Sequence, residues 1–291
     1  MAGFGLPGLA SVGGRATLVW SDSYADVERI SSGRFSSDPQ EALRAWDRFE
    51  DWARSVEPET SGLPHPHLLG PPVPHPSQVF AVGLNYRDHA AEAGYDTSGL
   101  PQVFTKFPSC LASPFSTVAV TSPRLDWEVE LVVVIGRTGR NIDEAGAWSS
   151  IAGLMIGQDL SARDVQLAGA APQWSLGKSF KGFGPIGPWI TMASGVANRD
   201  DLMIECELSG ELMQRDRTSN MIWSVAELVA RISSVCELAA GDLIFTGTPS
   251  GVGNRRQPPV FISPGDRLTS RIAGLGELIN DFVSPVLGAG G

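Results

Sequence analysis

The stretch LDWEVELVVVIG, residues 125–136, carries the strongest indication of the fold. Apolar side chains alternate with acids at its start and then continue as Val-Val-Val-Ile, a pattern typical of a strand that enters a buried sheet. In one extended strand, Asp126, Glu128 and Glu130 project from the same face. Carboxylates that share a strand face repel one another, so the arrangement requires either a solvated face or a neutralising cation.

A further isolated acid, Asp159, follows the apolar segment IAGLMIG and precedes a polar segment. Two or three carboxylates from separate segments suit a hard divalent cation, Mg²⁺ first and Mn²⁺ or Ca²⁺ as alternatives, and leave coordination positions for water and substrate. The competing interpretation is an acidic sheet edge that faces solvent. Spacing alone leaves both interpretations open.

The segment GLNYRDHAAEAG, residues 83–94, predicts a short helix that Asn85 caps and Gly94 ends. His89 and Glu92 then stand on one face of that helix. A carboxylate beside an imidazole raises the basicity of the ring, as a general base requires. The alternative is an ordinary pair on a helix surface.

Lys178 and Thr248 extend the set of polar candidates. Lys178 lies in WSLGKSFKGFGPIGPW, residues 174–189, where a proline interrupts the GxGxxG pattern, so no dinucleotide site is predicted. It is either a surface lysine or a cation in a pocket. In DLIFTGTPSGVG, residues 242–253, a strand runs into a turn whose hydroxyls and amides are able to hold a carboxylate.

The sequence pattern of the rest of the chain predicts a β-rich α+β protein. DPQEALRAWDRFEDWARSV, residues 38–56, has helical spacing of apolar residues, with Asp38 as N-cap and Pro39 at the first helical position. Prolines crowd the following HPHLLGPPVPHP, so we predict a small N-terminal domain with a Pro-rich linker over 1–72 and a second domain over 73–291. Short apolar runs bounded by Gly and Pro in the second domain are typical of a sandwich or roll.

Composition limits the partners of the chain. Lys and Arg number 22 against 32 Asp and Glu, a formal net charge of -10, so no nucleic acid is expected as a partner. Three cysteines without CxxC spacing are typical of reduced thiols. No signal-peptide pattern and no apolar run near the ~20 residues of a membrane helix is found. We therefore expect a cytoplasmic protein with no membrane partner.

Six segments, taken in order, resemble the fumarylacetoacetate hydrolase family: VGLNYRDHAAEAG, PQVFTKFPSCL, LDWEVELVVVIGR, GQDLSARDVQ, WSLGKSFKGFGPIGPW and IFTGTPSGVG. The resemblance runs from about Val79 to Asn254. It implies a mixed β-sandwich roll of the family's C-terminal type, a small N-terminal α+β domain, and a homodimer.

The same resemblance assigns roles to residues of this chain. It implies that the metal ligands are Glu128, Glu130 and Asp159, with Asp126 near the site but not a ligand. It implies that the catalytic residues are His89, Glu92 and Lys178, and that the substrate contacts are Thr248, Gln158, Tyr86 and Lys106.

The implied activity is metal-dependent hydrolysis of a carbon–carbon bond in a 2,4-diketo acid of the acylpyruvate or fumarylpyruvate type, as used in aromatic catabolism. His89, oriented by Glu92, would deprotonate the attacking water, and the cation with Lys178 would stabilise a pyruvate enolate. A decarboxylase or isomerase of an oxaloacetate-like acid or a hydroxy-dienedioate would use the same groups. A non-catalytic module that binds metal and a small acid is disfavoured, because binding alone requires no general base.

Overall fold

The structure, a computed structural model, describes residues 6–93 and 99–285, and of residues 91–93 it describes the backbone alone. Within these residues nineteen strands form three sheets. In chain order the strands are β1 (Gly8–Val12), β2 (Arg15–Val19), β3 (Ser23–Asp26), β4 (Thr60–Ser61), β5 (Leu69–Gly70), β6 (Val79–Gly83), β7 (Gln102–Thr105), β8 (Leu111–Ala112), β9 (Thr117–Ala119), β10 (Leu125–Asp126), β11 (Val129–Ile135), β12 (Ile151–Gln158), β13 (Ser161–Ala162), β14 (Gly184–Met192), β15 (Met203–Leu208), β16 (Glu211–Arg217), β17 (Leu243–Phe245), β18 (Arg267–Ile272) and β19 (Gly276–Val283).

The helices of the described residues are short, and α8 is the longest of them. They are α1 (Val27–Ile30), α2 (Pro39–Arg44), α3 (Trp46–Ala53), α4 (Arg87–Ala93), α5 (Glu144–Ala147), α6 (Arg163–Gln166), α7 (Trp174–Gly177) and α8 (Val225–Val235). Short 3₁₀ turns lie at Pro66–Leu68, Pro108–Cys110, Trp148–Ser150, Ala193–Gly195, Thr218–Asn220 and Gly253–Arg255. None of these helices is long and apolar enough to cross a membrane.

Two stacked sheets build the molecule. A twelve-stranded sheet has the order β4-β3-β2-β1-β14-β12-β11-β17-β6-β7, with β5 on β1 and β8 on β14. A five-stranded sheet, β16-β15-β18-β19-β9, packs against it, and β10 pairs with β13. Apolar side chains of both sheets share one core. The prediction of a β-rich α+β sandwich is confirmed.

The strand β11 lies at the centre of this arrangement, and all seven of its residues are buried. It pairs antiparallel with β12 on one side and with β17 on the other. Val133 packs into the core between the sheets, whereas Val132 and Val134 pack into a second core beneath the N-terminal helices. Side chains carried by this strand are therefore held on a rigid support.

The predicted single strand through residues 125–136 is wrong in one detail. It is interrupted at Trp127 and Glu128, so Asp126 pairs with β13 while Glu130 belongs to the large sheet. The backbone N–H of Glu128 donates to the side-chain oxygen of Gln158 at 3.0 Å instead of joining a ladder. The interruption leaves Glu128 outside the strand ladders, directly before β11.

The N-terminal strands continue the large sheet, because β1 pairs with β14. The predicted division between residues 72 and 73 is therefore not a boundary of the sheet, and as a division into domains it stays a prediction. Asp38 caps α2 as predicted, accepting from the backbone N–H of Gln40 at 2.9 Å. The predicted single helix over 38–56 is wrong, because Ala45, at φ -112°, separates α2 from α3 and lets both pieces pack on the sheet.

Candidate metal and active site

Three buried carboxylates converge where β11 begins and β12 ends. Glu130 lies on β11 opposite Gly157, Glu128 precedes that strand, and Asp159 follows β12. One ligand oxygen from each carboxylate lies within 4.8 Å of the others. All three side chains are buried. Three oxygen donors so close together, and shielded from water, form a suitable site for a hard divalent cation.

Two buried lysines surround this carboxylate cluster, which we define as Glu128, Glu130 and Asp159. Lys178, directly after α7, places its Nζ 2.7 Å from Oε2 of Glu128 and also donates to Asp159. The Nζ of Lys106 lies 2.7 Å from the other oxygen of Asp159 and donates to the carbonyl of Phe183 at 3.1 Å. Because Lys178 is only 2% exposed, the surface-lysine interpretation does not hold.

Arg163, at the start of α6, is a third buried cation that the sequence reasoning missed. Its Nη2 lies 2.7 Å from an oxygen of Asp126 and 2.7 Å from an oxygen of Glu128. Asp126 also accepts from the backbone N–H groups of Gly253 and Asn254, at 2.7 and 2.9 Å. Asp126 thus ties α6 and the following turn to the ligand strand. No local sequence pattern indicated this pairing, because both partners of Arg163 lie more than thirty positions earlier.

The buried charges do not cancel. Four carboxylates, including Asp126, face the three cations Lys106, Arg163 and Lys178, which leaves one formal negative charge. Burying an unbalanced charge is costly, so the cluster favours a further cation. A divalent ion would change the formal total from one negative to one positive charge, which suits an anionic ligand.

Of the carboxylates in the cluster, Glu130 has the least favourable surroundings for a negative charge. Burial and the neighbouring Asp159 and Glu128 raise the pKa of Glu130 well above 4.5, although Lys178 and the N–H of Gly247 at 2.7 Å oppose the rise. Burial also raises the pKa of Glu128, but Lys178, Arg163 and His89 more than offset it and lower that pKa to about 2. The two glutamates are therefore unequal: Glu128 forms ion pairs with Lys178 and Arg163, whereas no ion pair of Glu130 is found among the described residues.

A cavity of about 80 Å³ lies beside the cluster. Its polar lining includes His89, Arg163, Gln166, Lys178 and Thr248, and its apolar lining includes Val82, Leu84, Leu167, Trp174 and Val252. Trp174 packs over Gly83, where an added Cβ would lie 2.3 Å from the indole ring, so any larger residue at that position would have to displace the indole. The cavity is small compared with drug-sized pockets, which indicates a small ligand. A larger cavity of about 1110 Å³, lined by Trp20 and Trp189, contains none of the predicted site residues.

A sequence model of the fumarylacetoacetate (FAA) hydrolase C-terminal region matches residues 78–283, which is more than half of the chain. The chain belongs to the fumarylacetoacetate hydrolase family. The matched range begins with β6 and ends with β19, and it includes every residue of the carboxylate cluster.

Similar members of the fumarylacetoacetate hydrolase family carry different activities. A mitochondrial oxaloacetate tautomerase of Bos taurus is 41% identical over 214 residues, which cover 73% of this chain and 68% of that protein. The structure of a fumarylpyruvate hydrolase from Pseudomonas aeruginosa in complex with Mn²⁺ and pyruvate is 34% identical, covers 72% of this chain and 91% of that chain, and has a TM-score of 0.65. A 5-carboxymethyl-2-hydroxymuconate delta-isomerase from Mycobacterium smegmatis is 27% identical, covers 97% and 99% of the two chains, and has a TM-score of 0.68.

Four of the residues that the family resemblance implied surround the cluster. His89, on α4, is 7% exposed and lines the cavity. Lys106 and Lys178 contact the cluster directly. Thr248 also lines the cavity, but its hydroxyl donates to the carbonyl of Val129 at 2.9 Å and accepts from Gln214 at 2.8 Å. Its hydroxyl is therefore already engaged within the protein.

Other implied site residues lie elsewhere or serve the scaffold. Gln158 holds the backbone of Glu128 and donates to Ser270 at 2.8 Å, so its side chain is engaged between the two sheets. Tyr86 is fully buried outside the cavity lining, and its hydroxyl has no hydrogen-bond partner among the described residues. The side chain of Glu92 and the predicted helix end at Gly94 lie outside the described residues.

The predicted N-cap role of Asn85 is wrong. Its side-chain amide donates to the carbonyls of Trp223 and Thr246, at 3.0 and 2.7 Å, and its oxygen accepts from the N–H of Trp223 at 2.8 Å. The Asn85 side chain therefore makes tertiary hydrogen bonds instead of the local bond to the helix end that its position in the sequence predicted. Asn85 thereby connects the α4 loop to the strand end that carries Thr248.

Proposed function

We propose that the protein is a divalent-cation-dependent enzyme that hydrolyses a carbon–carbon bond in a short 2,4-dioxo acid of the acylpyruvate type. The observation that carries the proposal is the buried cluster of Glu128, Glu130 and Asp159 beside a small cavity that His89 and Lys178 also line. A relative with bound Mn²⁺ and pyruvate supports the same chemistry.

The cluster residues would hold the cation. Their all-oxygen donor set suits Mg²⁺, which we propose as the physiological ion, with Mn²⁺ and Ca²⁺ as alternatives. When bound, the ion supplies Lewis-acid stabilisation of negative charge on substrate oxygens. The raised pKa of Glu130 supports this fit, because no ion pair to that carboxylate is found among the described residues and its neighbours Asp159 and Glu128 are acids.

Each further step is assigned to side chains of the cavity. Lys178 stabilises the enolate charge that develops on the oxo acid, since its ammonium is buried and preorganised. An imidazole nitrogen of His89, oriented by Glu92, takes a proton from water while the hydroxide oxygen bonds to the distal carbonyl carbon. The carbon–carbon bond then breaks, its electron pair enters the pyruvate enolate, and the proton held by His89 passes to the enolate carbon.

Oxaloacetate tautomerisation is the second candidate. It is favoured by the 41% identity to an oxaloacetate tautomerase and by a cavity of about 80 Å³, which suits a four-carbon acid. The reaction moves a proton between C3 and the oxygen on C2 and consumes no water. Decarboxylation of such an acid, or isomerisation of a hydroxy-dienedioate, would draw on the same enolate stabilisation by Lys178.

The proposal also includes a homodimer, a cytoplasmic location and a place in aromatic catabolism. The homodimer is tested by multi-angle light scattering after size-exclusion chromatography, where a mass near twice 30.9 kDa is expected. A mass near 30.9 kDa at micromolar concentration would contradict it.

The deciding experiment offers 2,4-dioxopentanoate and enol-oxaloacetate to protein treated with EDTA and then restored with Mg²⁺. A hydrolase releases pyruvate and acetate from the first acid and incorporates one solvent ¹⁸O into the acetate. A tautomerase accelerates loss of the enol absorbance of the second acid without incorporating ¹⁸O. Glu130→Gln and His89→Ala are expected to abolish either activity; full activity in both variants would exclude the assignment.

A further inference from the structure

Lys106, which directly follows β7, is fully buried, and its ammonium is surrounded by protein acceptors. It donates to Oδ1 of Asp159 at 2.7 Å, to the carbonyl of Phe183 at 3.1 Å and to the carbonyl of Lys178. An ammonium group has three N–H bonds, so these acceptors use all of them. Lys106 is also absent from the described residues that line the cavity beside the carboxylate cluster.

The two oxygens of Asp159 are engaged by different lysines. Oδ1 accepts from Lys106, whereas Oδ2 accepts from Lys178. Lys178 also donates to Oε2 of Glu128 at 2.7 Å, so Oε2 of Glu128 and Oδ2 of Asp159 converge on one point. Oδ2 is therefore the oxygen of Asp159 that faces the rest of the cluster, and Lys106 holds the other one.

The scaffold holds one oxygen of each glutamate in a similar way. Oε1 of Glu128 lies 2.7 Å from Nη2 of Arg163. Oε2 of Glu130 accepts from the backbone N–H of Gly247 at 2.7 Å. Each carboxylate of the cluster thus has one oxygen engaged by the scaffold, which leaves one oxygen of each for a bound cation.

Coordination through single carboxylate oxygens distinguishes between divalent ions. Mg²⁺ demands an octahedral arrangement and usually keeps several waters, so three single oxygens leave positions for water and substrate. Ca²⁺ takes about six to eight oxygens and often binds both oxygens of one carboxylate. A cluster whose second oxygens are already engaged therefore suits Mg²⁺ or Mn²⁺ better than Ca²⁺.

Building on the proposed function, we propose that Lys106 is a positioning residue that limits Asp159 to one ligand oxygen and thereby makes the site select Mg²⁺ over Ca²⁺. Its three acceptors leave no N–H for a substrate, which favours this role over a direct substrate contact. Lys106 is also the group best suited to a test. Arg163 additionally holds Asp126, and the bond to Glu130 comes from a backbone amide that no side-chain replacement removes.

Isothermal titration calorimetry with MgCl₂ and CaCl₂, without substrate, tests this role in the wild type, Lys106→Met and Lys181→Met. The wild type should bind Mg²⁺ at least about tenfold more tightly than Ca²⁺. Loss of the Lys106 charge should strengthen binding of both divalent ions alike, whereas release of Oδ1 of Asp159 should help Ca²⁺ alone. The ratio of the two Kd values should therefore shift towards Ca²⁺ by about tenfold in Lys106→Met. The control Lys181→Met removes an exposed lysine outside the cavity lining and should change the ratio less than about twofold.

Infrared difference spectra of the Ca²⁺-loaded and EDTA-treated proteins supply the second readout. Binding through both oxygens narrows the separation between the antisymmetric and symmetric carboxylate stretches, and this narrowing should appear in Lys106→Met but not in the wild type. A purely structural role of Lys106 would weaken binding of both ions alike and leave the ratio unchanged.

An unchanged ratio in Lys106→Met would overturn the assignment. So would a wild type that binds Ca²⁺ as tightly as Mg²⁺, and this comparison holds even if the variant does not fold. If the wild type binds neither ion, the proposed metal dependence fails and the role of Lys106 fails with it. If the ratio shifts as expected but no dioxo acid or oxaloacetate is converted, the proposed function fails and the role of Lys106 stands.

Discussion

Replacing Glu130 by Gln should stabilise the metal-free protein while it removes the metal site. Glu130 is buried beside two other carboxylates, and its pKa is raised well above 4.5. At pH 7 the cost of keeping this group in the folded protein is at most about 3 kcal/mol, since each pH unit above 4.5 contributes about 1.4 kcal/mol. Gln removes that cost and can still accept the hydrogen bond from Gly247.

The expected gain in EDTA at pH 7 is therefore up to about 3 kcal/mol, or roughly 6–12 °C in Tm. Mg²⁺ or Mn²⁺ should raise the Tm of the wild type but not that of Glu130→Gln. Glu128→Gln is the matched control, because its carboxylate is paired with Lys178 and Arg163, so its loss should destabilise the protein by about 3–5 kcal/mol. Differential scanning fluorimetry with and without EDTA measures all three proteins. A Glu130→Gln protein that is less stable than the wild type in EDTA would show that the Glu130 carboxyl group carries no such cost in the folded protein.

Three further outcomes are expected. In EDTA, the free energy of unfolding should fall as pH drops from 4.5 towards about 2, because the pKa of Glu128 is lowered. It should also fall as pH rises above 4.5, because the pKa of Glu130 is raised. Thermal melts in Mg²⁺ should still show the loss of stability at low pH but not the loss above pH 4.5. Arg163→Gln should destabilise the protein by about 3 kcal/mol in urea titrations, and adding Asp126→Asn should cost less than the sum of the single changes. Gly83→Ala should displace Trp174 and cost about 1–3 kcal/mol, measured in the same titrations; an unchanged midpoint would show that the indole yields freely.

Acids beside buried strands made Glu128, Glu130 and Asp159 candidates, but their spacing left a solvent-facing sheet edge equally open, and only the family resemblance assigned the three to one site. In the structure, adjacent antiparallel strands bring their two segments together. The sandwich was predictable, since short apolar runs bounded by Gly and Pro are a local property.

Other features depend on tertiary contacts that leave no local pattern. Arg163 lies in a polar segment like many surface arginines, and only its packing against Asp126 and Glu128 reveals its role. The spacing around Asn85 fits a helix cap, but its amide pairs with residues more than a hundred positions away. Likewise, the break at Ala45 interrupts a stretch of helical spacing, although apolar residues on both sides of it pack in one core.

We propose above that Glu128, Glu130 and Asp159 would hold a divalent cation and that Lys178 stabilises the enolate of a 2-oxo acid in the adjacent cavity. The most direct measurement is proton NMR of pyruvate in D₂O, following exchange of its methyl protons in the presence of the protein. We expect exchange far above the buffer rate with Mg²⁺, and exchange at the buffer rate in EDTA or with Glu130→Gln. Exchange at the buffer rate with Mg²⁺ present, or equal exchange with and without EDTA, would contradict the proposal.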